Sequence, residues 1–135
     1  MRYLLDTDTC IYIMNQKPEQ VFRRVARLKP GDVGISSITF YELAFWIAKS
    51  AKAAQNRERL EGFIALVPVL PFDQKAADAA ATIRLDLQKA GTPIGAYDLL
   101  IAAHASSLGL TLVTNNLREF LRVQGLRVEN WLDEG

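Results

Sequence analysis

The chain has 135 residues, 50% of them apolar and 23% charged, with a formal net charge of +1. That is ordinary for a folded domain with room for a core, so residues 1–135 are read as a single domain. The charge neither demands nor excludes a nucleic-acid partner, because a local basic patch can sit inside a near-neutral sum.

The sequence holds one cysteine, Cys10, in an apolar segment, which excludes an intramolecular disulfide and a Cys-type zinc site. Cys10 reads as a buried structural thiol. The apolar run before Asp6 is too short for a signal peptide. The longest stretch without acidic or basic residues, Leu99 to Leu117, contains Ser106, Ser107, Gly109, Asn115 and Asn116, so it is no membrane span. A soluble, cytoplasmic protein without membrane contact is expected.

In chain order, "RYLLD" predicts a short buried strand and "TCIYIMN" the start of a helix. Residues 18–31 form an amphipathic pattern with Val21, Phe22, Val25 and Leu28 at helical spacing and Pro30-Gly31 as the stop. "DVGISS" reads as a second strand, "ITFYELAFWIAKS" as a strongly apolar helix, and Ala53–Leu66 as a more charged one. "VPVLPF" supplies a third strand. Asp73 then caps an alanine-rich helix that ends near Gly91 and Pro93. "AYDLLIAAHASSLG" is a further apolar helix, "LTLVTNN" a fourth strand and "LRVENW" a fifth. Apolar strands alternating with helices predict an α/β class protein, a three-layer α/β/α sandwich around a mostly parallel sheet of four to five strands. Ligands of such sheets bind beyond the carboxyl ends of the strands.

Polar residues out of place gather at that edge. Asp6 follows the first strand and Asp8 lies two residues on; a helix cap at Asp8 or Thr7 accounts for one of the two carboxylates. Glu42 is the only charged residue between Ile38 and Ala48, on the helical arc of Ile38, Phe45 and Trp46, so a partner is expected for it. Asp98 is the only acidic residue between Asp86 and Glu119 and shares a helix face with Ile101, Ala102 and Ala105; an aspartate in a first turn also complements the helix dipole. In "VTNNLREF", Thr114 closes a strand, Asn115 and Asn116 open a helix, and Glu119 fits a capping arrangement with Asn116. Two carboxylates 4 Å apart repel by roughly 4 kcal/mol at an effective dielectric of 20, so protons or a cation must compensate such a cluster. Oxygen donors without thiolate favour Mg²⁺ or Mn²⁺. His104, the single histidine, reads as a packing residue.

The segments "LLDTDTCI", "ISSITFYELAFWI", "GTPIGAYDLLIAAHA" and "LTLVTNNLREFLRVQGLRVENW" together resemble the PIN-domain ribonucleases, and within them the VapC toxins of bacterial toxin–antitoxin pairs. The resemblance covers nearly the whole chain in order. It implies a metal-dependent endoribonuclease whose acidic residues hold one or two Mg²⁺ ions, with Mn²⁺ as substitute. Carried over by position, the catalytic and metal-ligating residues are Asp6, Glu42 and Asp98. Many PIN domains carry an aspartate where this chain has Asn116, and Glu119 is the fourth candidate in its place. Asp8, Thr114 and Asn116 are given supporting roles. The resemblance further implies an RNA substrate, such as a structured tRNA, a VapB-type antitoxin as partner, and a homodimer within the toxin–antitoxin complex. Lys49, Lys52, Arg23, Arg24, Arg27, Arg118 and Arg122 are candidates for phosphate contacts. Phe40, Phe45 and Trp46, if exposed, would suit a protein partner or a homodimer, and they are equally good core residues.

Two other readings compete. "DTDTC" approximates the opening motif of haloacid dehalogenase-type phosphatases, although Cys10 stands where Thr or Val is expected and no late lysine with paired aspartates follows. A catalytically silent PIN fold acting as an RNA- or protein-binding module is the second, with Asn116 the feature that points to it.

Overall fold

A computed structural model of the chain describes residues 1–133. Five strands, β1 (Tyr3–Leu5), β2 (Val33–Ser36), β3 (Val69–Leu70), β4 (Thr111–Val113) and β5 (Val128–Glu129), form one sheet in the order β3-β2-β1-β4-β5. Every neighbouring pair is parallel, so the sheet is wholly rather than mostly parallel. The connections are α1 (Thr7–Asn15), α2 (Glu19–Ala26), α3 (Ser37–Ala48), α4 (Ala53–Leu66), α5 (Gln74–Ala90), α6 (Ala96–Leu108) and α7 (Leu117–Phe120), and a 3₁₀ turn, Trp131–Asp133, follows β5.

The alternation of side chains along β1 makes the three layers. Tyr3 and Leu5 point to one face, where they join Ile35, Val113, Leu43, Leu60 and Phe63; Leu4 points to the other and packs with Leu112, Leu87, Leu99, Ile101 and Phe120. Helices α1 to α4 therefore cover one face, and α5 and α6 cover the other. Because both faces are buried, the strands carry apolar residues at successive positions, as in "YLL" and "TLV".

The helix ends largely follow the sequence signals. The Asp73 carboxylate accepts from the Ala76 amide at 3.0 Å, and Gly91 and Gly109 close α5 and α6 with φ of +71° and +68°. The predicted helix over 18–31 is shorter: α2 stops at Ala26. Pro30 disfavours a helical conformation at Lys29, whose amide instead donates to the Asp32 carboxylate at 3.0 Å, and Gly31 turns the chain at φ +90°. Phe22, expected on the apolar stripe, is among the exposed hydrophobics, because α2 buries Val21 and leans on Val25 instead.

Both packing assignments hold. Cys10 is fully buried and its thiol is pushed well above its usual range, first by burial. His104 is buried, with Nδ1 2.8 Å from the Ser36 hydroxyl and its ring edge-on to Phe72. No helix among the described residues is long and apolar enough to cross a membrane.

Trp131 ties the C-terminal edge to the core. It stands edge-on to Tyr3 at 5.4 Å between ring centroids, with the Arg24 guanidinium 5.3 Å from its own ring and Arg24 in turn 3.7 Å from Glu129. Trp131→Ala should lower the unfolding free energy by about 3–5 kcal/mol, read as a shifted urea midpoint by circular dichroism. An unchanged midpoint would detach this turn from the cooperative core.

Candidate metal centre

The parallel register brings the carboxyl ends of β1, β2 and β4 side by side, with Leu5 opposite both Ile35 and Val113. Asp6 continues β1: its amide donates to the Val113 carbonyl at 3.0 Å, and its backbone stays extended at φ −77°, ψ 173°. Since the helix starts at Thr7, Asp6 itself is the cap, with Oδ1 accepting from the Thr9 amide at 2.9 Å. The expectation of a cap at Asp8 or Thr7 is thereby corrected. Asp6 caps α1 from a buried position, and Asp8 is an exposed first-turn residue. Burial raises the Asp6 carboxyl from its usual value, while hydrogen bonds from the Thr114 and Thr9 side chains and the Thr9 amide pull it back.

Glu42 projects from α3, which starts where β2 ends, at Ser36, whose hydroxyl caps it through the Ile38 amide. The partner expected for Glu42 is a hydroxyl: Thr7 Oγ1 donates to Glu42 Oε1 at 2.6 Å. Its helical neighbours Phe45 and Trp46 are 51% and 56% exposed, while Ile38 on the same arc packs against the core.

Asp98 lies in the first turn of α6, on the rim of the core formed by Ile101, Ala102 and Ala105. Its carboxyl is pushed up to about 7, first by burial, then by the charge and hydrogen bonding of Glu119 and by the charges of Asp6 and Glu42. Glu119 is held on both oxygens: Oε1 accepts from the Gly95 amide at 2.8 Å and Oε2 from Asn116 Nδ2 at 2.6 Å. The capping arrangement between Asn116 and Glu119 thus runs the other way. Asn116 makes no side-chain cap bond; its side-chain amide orients the glutamate, and its backbone amide donates to Thr114 Oγ1 at 2.9 Å.

Asp6, Asp8, Glu42 and Asp98 line one cleft of about 470 Å³ together with Ile11 and Trp46. Glu119 stands beside Asp98, off the wall of this cleft, and Thr114 lies buried behind Asp6. Thr7 and Gly95 carry site functions that the sequence reading did not assign. A Cβ on Gly95 would come within 3.4 Å of Asp98 Oδ2 and 3.6 Å of Glu119 Oε1. The only prior hint was its place in "IGA", just before Asp98.

The site suits a hard divalent cation in donor chemistry. Its acidic side chains are all carboxylates, and burial together with the neighbouring charges pushes Asp98 up to about 7, a concentration of negative charge that a cation would compensate. Among the described residues, no three such side chains are already drawn together as a closed cage, so ligation requires rotamer adjustment around the cleft.

The basic candidates divide. Arg24 is committed to Glu129, Tyr3 and Trp131, Arg23 to Glu19, and Arg122 Nη1 donates to the Pro93 carbonyl. Lys49, Lys52 and Arg118 are exposed, with Lys49 over the rings of Phe45 and Trp46; Arg27 is exposed as well and is not without a partner. Of the three aromatics, Phe40 packs against the core, whereas Phe45 and Trp46 are exposed.

Comparison with known proteins agrees with this architecture. The PIN domain family model matches residues 3–126. The tRNA(fMet)-specific endonuclease VapC of Salmonella typhimurium is 45% identical over 131 residues, 97% of this chain and 98% of that protein. Ribonuclease VapC2 of Rickettsia felis is 39% identical over 132 residues, with 97% and 98% covered. Among solved structures, the DNA-bound VapBC complex of Salmonella typhimurium superposes with a TM-score of 0.92 at 45% identity, covering 97% of this chain and 98% of that one. The VapBC2 complex of Rickettsia felis, bound to a fragment of its promoter, superposes at 0.91 and 37% identity, covering 97% and 99%. These matches leave no room for the phosphatase reading of "DTDTC". A wholly parallel sheet, an acidic cleft at its carboxyl edge and full-length similarity to these relatives place the chain in the PIN-domain family, among the VapC ribonucleases.

Proposed function

We propose that this chain is the endoribonuclease toxin of a toxin–antitoxin pair, cutting structured RNA of the tRNA class, with Asp6, Glu42 and Asp98 as metal ligands and Glu119 beside them. The observation that carries the reading is the convergence of three carboxylates from three different elements on one cleft, with Asp98 pushed up to about 7. Membership in this family supports divalent-metal dependence, and the carboxylate donor set favours Mg²⁺, with Mn²⁺ as a substitute. When bound, such an ion supplies an activated water at neutral pH and compensates charge on the phosphate and leaving oxygen. The protein's own residues set the geometry. Thr9 and Thr114 hold Asp6, Thr7 holds Glu42, and Asn116 with the Gly95 amide holds Glu119 against Asp98. Asn116 thereby takes a supporting role suited to a glutamate one turn later, and Asp8 adds negative charge at the cleft mouth. The Salmonella and Rickettsia relatives occur in VapBC complexes, which supports a VapB-type antitoxin as partner.

Purified, antitoxin-free protein should cleave tRNA with Mg²⁺ or Mn²⁺ and stop in EDTA. Asp6→Asn and Asp98→Asn should each slow cleavage by roughly a hundredfold or more, since loss of a supporting partner alone costs about 10–100-fold. Cleavage that survives EDTA and both substitutions would overturn the assignment.

The raised Asp98 pKa has a definite sign. The folded state holds this proton more tightly than the unfolded chain, so the penalty is absent below the ordinary aspartate range and complete above pH about 7. In the metal-free protein at pH 8, Asp98→Asn should therefore raise stability, by roughly 1–2 kcal/mol after allowance for solvent screening. Metal affinity should fall by up to about tenfold per pH unit below 7, because binding displaces the same proton. Calorimetry with Mn²⁺ across pH 5.5–8 and thermal melts of both proteins check the pair; a destabilised Asp98→Asn protein would contradict the electrostatic picture. Asn116→Ala should leave folding intact and reduce the cleavage rate by about 10–100-fold through release of Glu119.

A further inference from the structure

Trp46 stands apart from the other exposed aromatics because it forms part of the wall of the carboxylate cleft, beside Asp6, Glu42 and Asp98. It follows Glu42 by one turn of α3 and is 56% exposed. The Lys49 ammonium lies 4.2 Å from its ring centroid and 5.0 Å from that of Phe45. An indole in water forfeits the burial that normally draws tryptophan inward. Here a cation lies over the ring and Phe45 stands edge-on to it at 6.1 Å between centroids, while more than half of the residue stays open to solvent at the cleft. Flat aromatic surface beside a positive charge is the combination that receives single-stranded nucleic acid, the ring taking a base and the cation a phosphate.

We propose that Trp46 is the base-stacking platform of this nuclease, holding one unpaired nucleobase next to the phosphate to be cut, with Lys49 meeting an adjoining phosphate. This rests on the ribonuclease reading above and adds to it how the strand is placed. The occupant is RNA because Trp46 belongs to the same wall as the carboxylates, which a strand must reach in order to be cut. Recognition by stacking tolerates any base, so Trp46 positions the strand and selects for unpaired nucleotides, not for a sequence.

The two tryptophans of the chain make the test direct, because Trp131 is buried at 1% exposure while Trp46 is open. Antitoxin-free protein is titrated with a short single-stranded RNA of mixed sequence, with Ca²⁺ as the divalent ion, and emission is followed at the red edge, where the exposed indole dominates. Stacking should quench that emission, and Trp46→Phe should abolish the quench while keeping affinity within a few-fold. Trp46→Leu, which keeps apolar bulk without a π face, should weaken RNA binding roughly five- to hundredfold and raise KM with little change in kcat. Lys49→Ala should reduce the salt dependence of binding by about one phosphate contact. RNA cleavage by the wild type with no quench, or with Trp46→Leu binding RNA as tightly as wild type, would overturn the stacking role and leave the nuclease standing. Loss of antitoxin binding or of dimer in Trp46→Leu with unchanged RNA affinity would overturn it in favour of a protein interface. A wild type that neither binds nor cuts RNA would remove both proposals together.

Discussion

Like charge gathered at the carboxyl edge of a parallel sheet is the condition around which this molecule is arranged. Asp6, Glu42, Asp98 and Glu119 come from different connections, yet the shared register of β1, β2 and β4 brings those connections to one place. Burial first, and then the charges of Glu119, Asp6 and Glu42, push the Asp98 carboxyl up to about 7. In a protein without function, selection for stability would disperse such charges or pair them with arginines. Here Asp6, Glu42 and Glu119 are held by hydroxyls and amides, while Asp98 is paired with Glu119.

The same groups that orient the carboxylates also hold the fold. Asp6 caps α1, Thr9 bonds the Val113 carbonyl, and Thr114 receives the Asn116 amide as the chain leaves β4. A cap at this position stabilises the helix by about 1 kcal/mol, and that favourable term coexists with the unfavourable burial of the carboxylate. Glu119 is tied to Gly95 at the start of α6, so α7 and α6 are joined through the site itself. Precision at the cleft therefore comes from helix termini and strand ends, with few interactions that serve the site alone.

The departure from the commoner acidic pattern has a local physical resolution. Asn116 places no charge at the strand end, but its side-chain amide and the Gly95 backbone together hold Glu119 beside Asp98. What Gly95 contributes is its backbone amide, which donates to Glu119 Oε1 at 2.8 Å; a Cβ there would make only ordinary contacts with the two carboxylates.

Much of this is legible in the linear sequence. Buried strands show as apolar runs bounded by polar residues, Asp73 and the glycines 91 and 109 mark helix ends, and Glu42 and Asp98 stand out as lone charges in apolar segments. These are local signals, set by hydrophobic periodicity and by backbone conformations that few residues tolerate. Relations between distant segments were decided only by the tertiary structure: that Thr7 holds Glu42 across 35 positions, that Gly95 and Asn116 share Glu119, and that Trp46 reaches the cleft wall while Phe40 turns to the core. The length of α2 and the cap at Asp6 likewise depended on where neighbouring strands and turns took up the backbone hydrogen bonds. Periodicity determines which face of an element is apolar, but only the packed sheet determines which polar groups that face brings within 3 Å of one another.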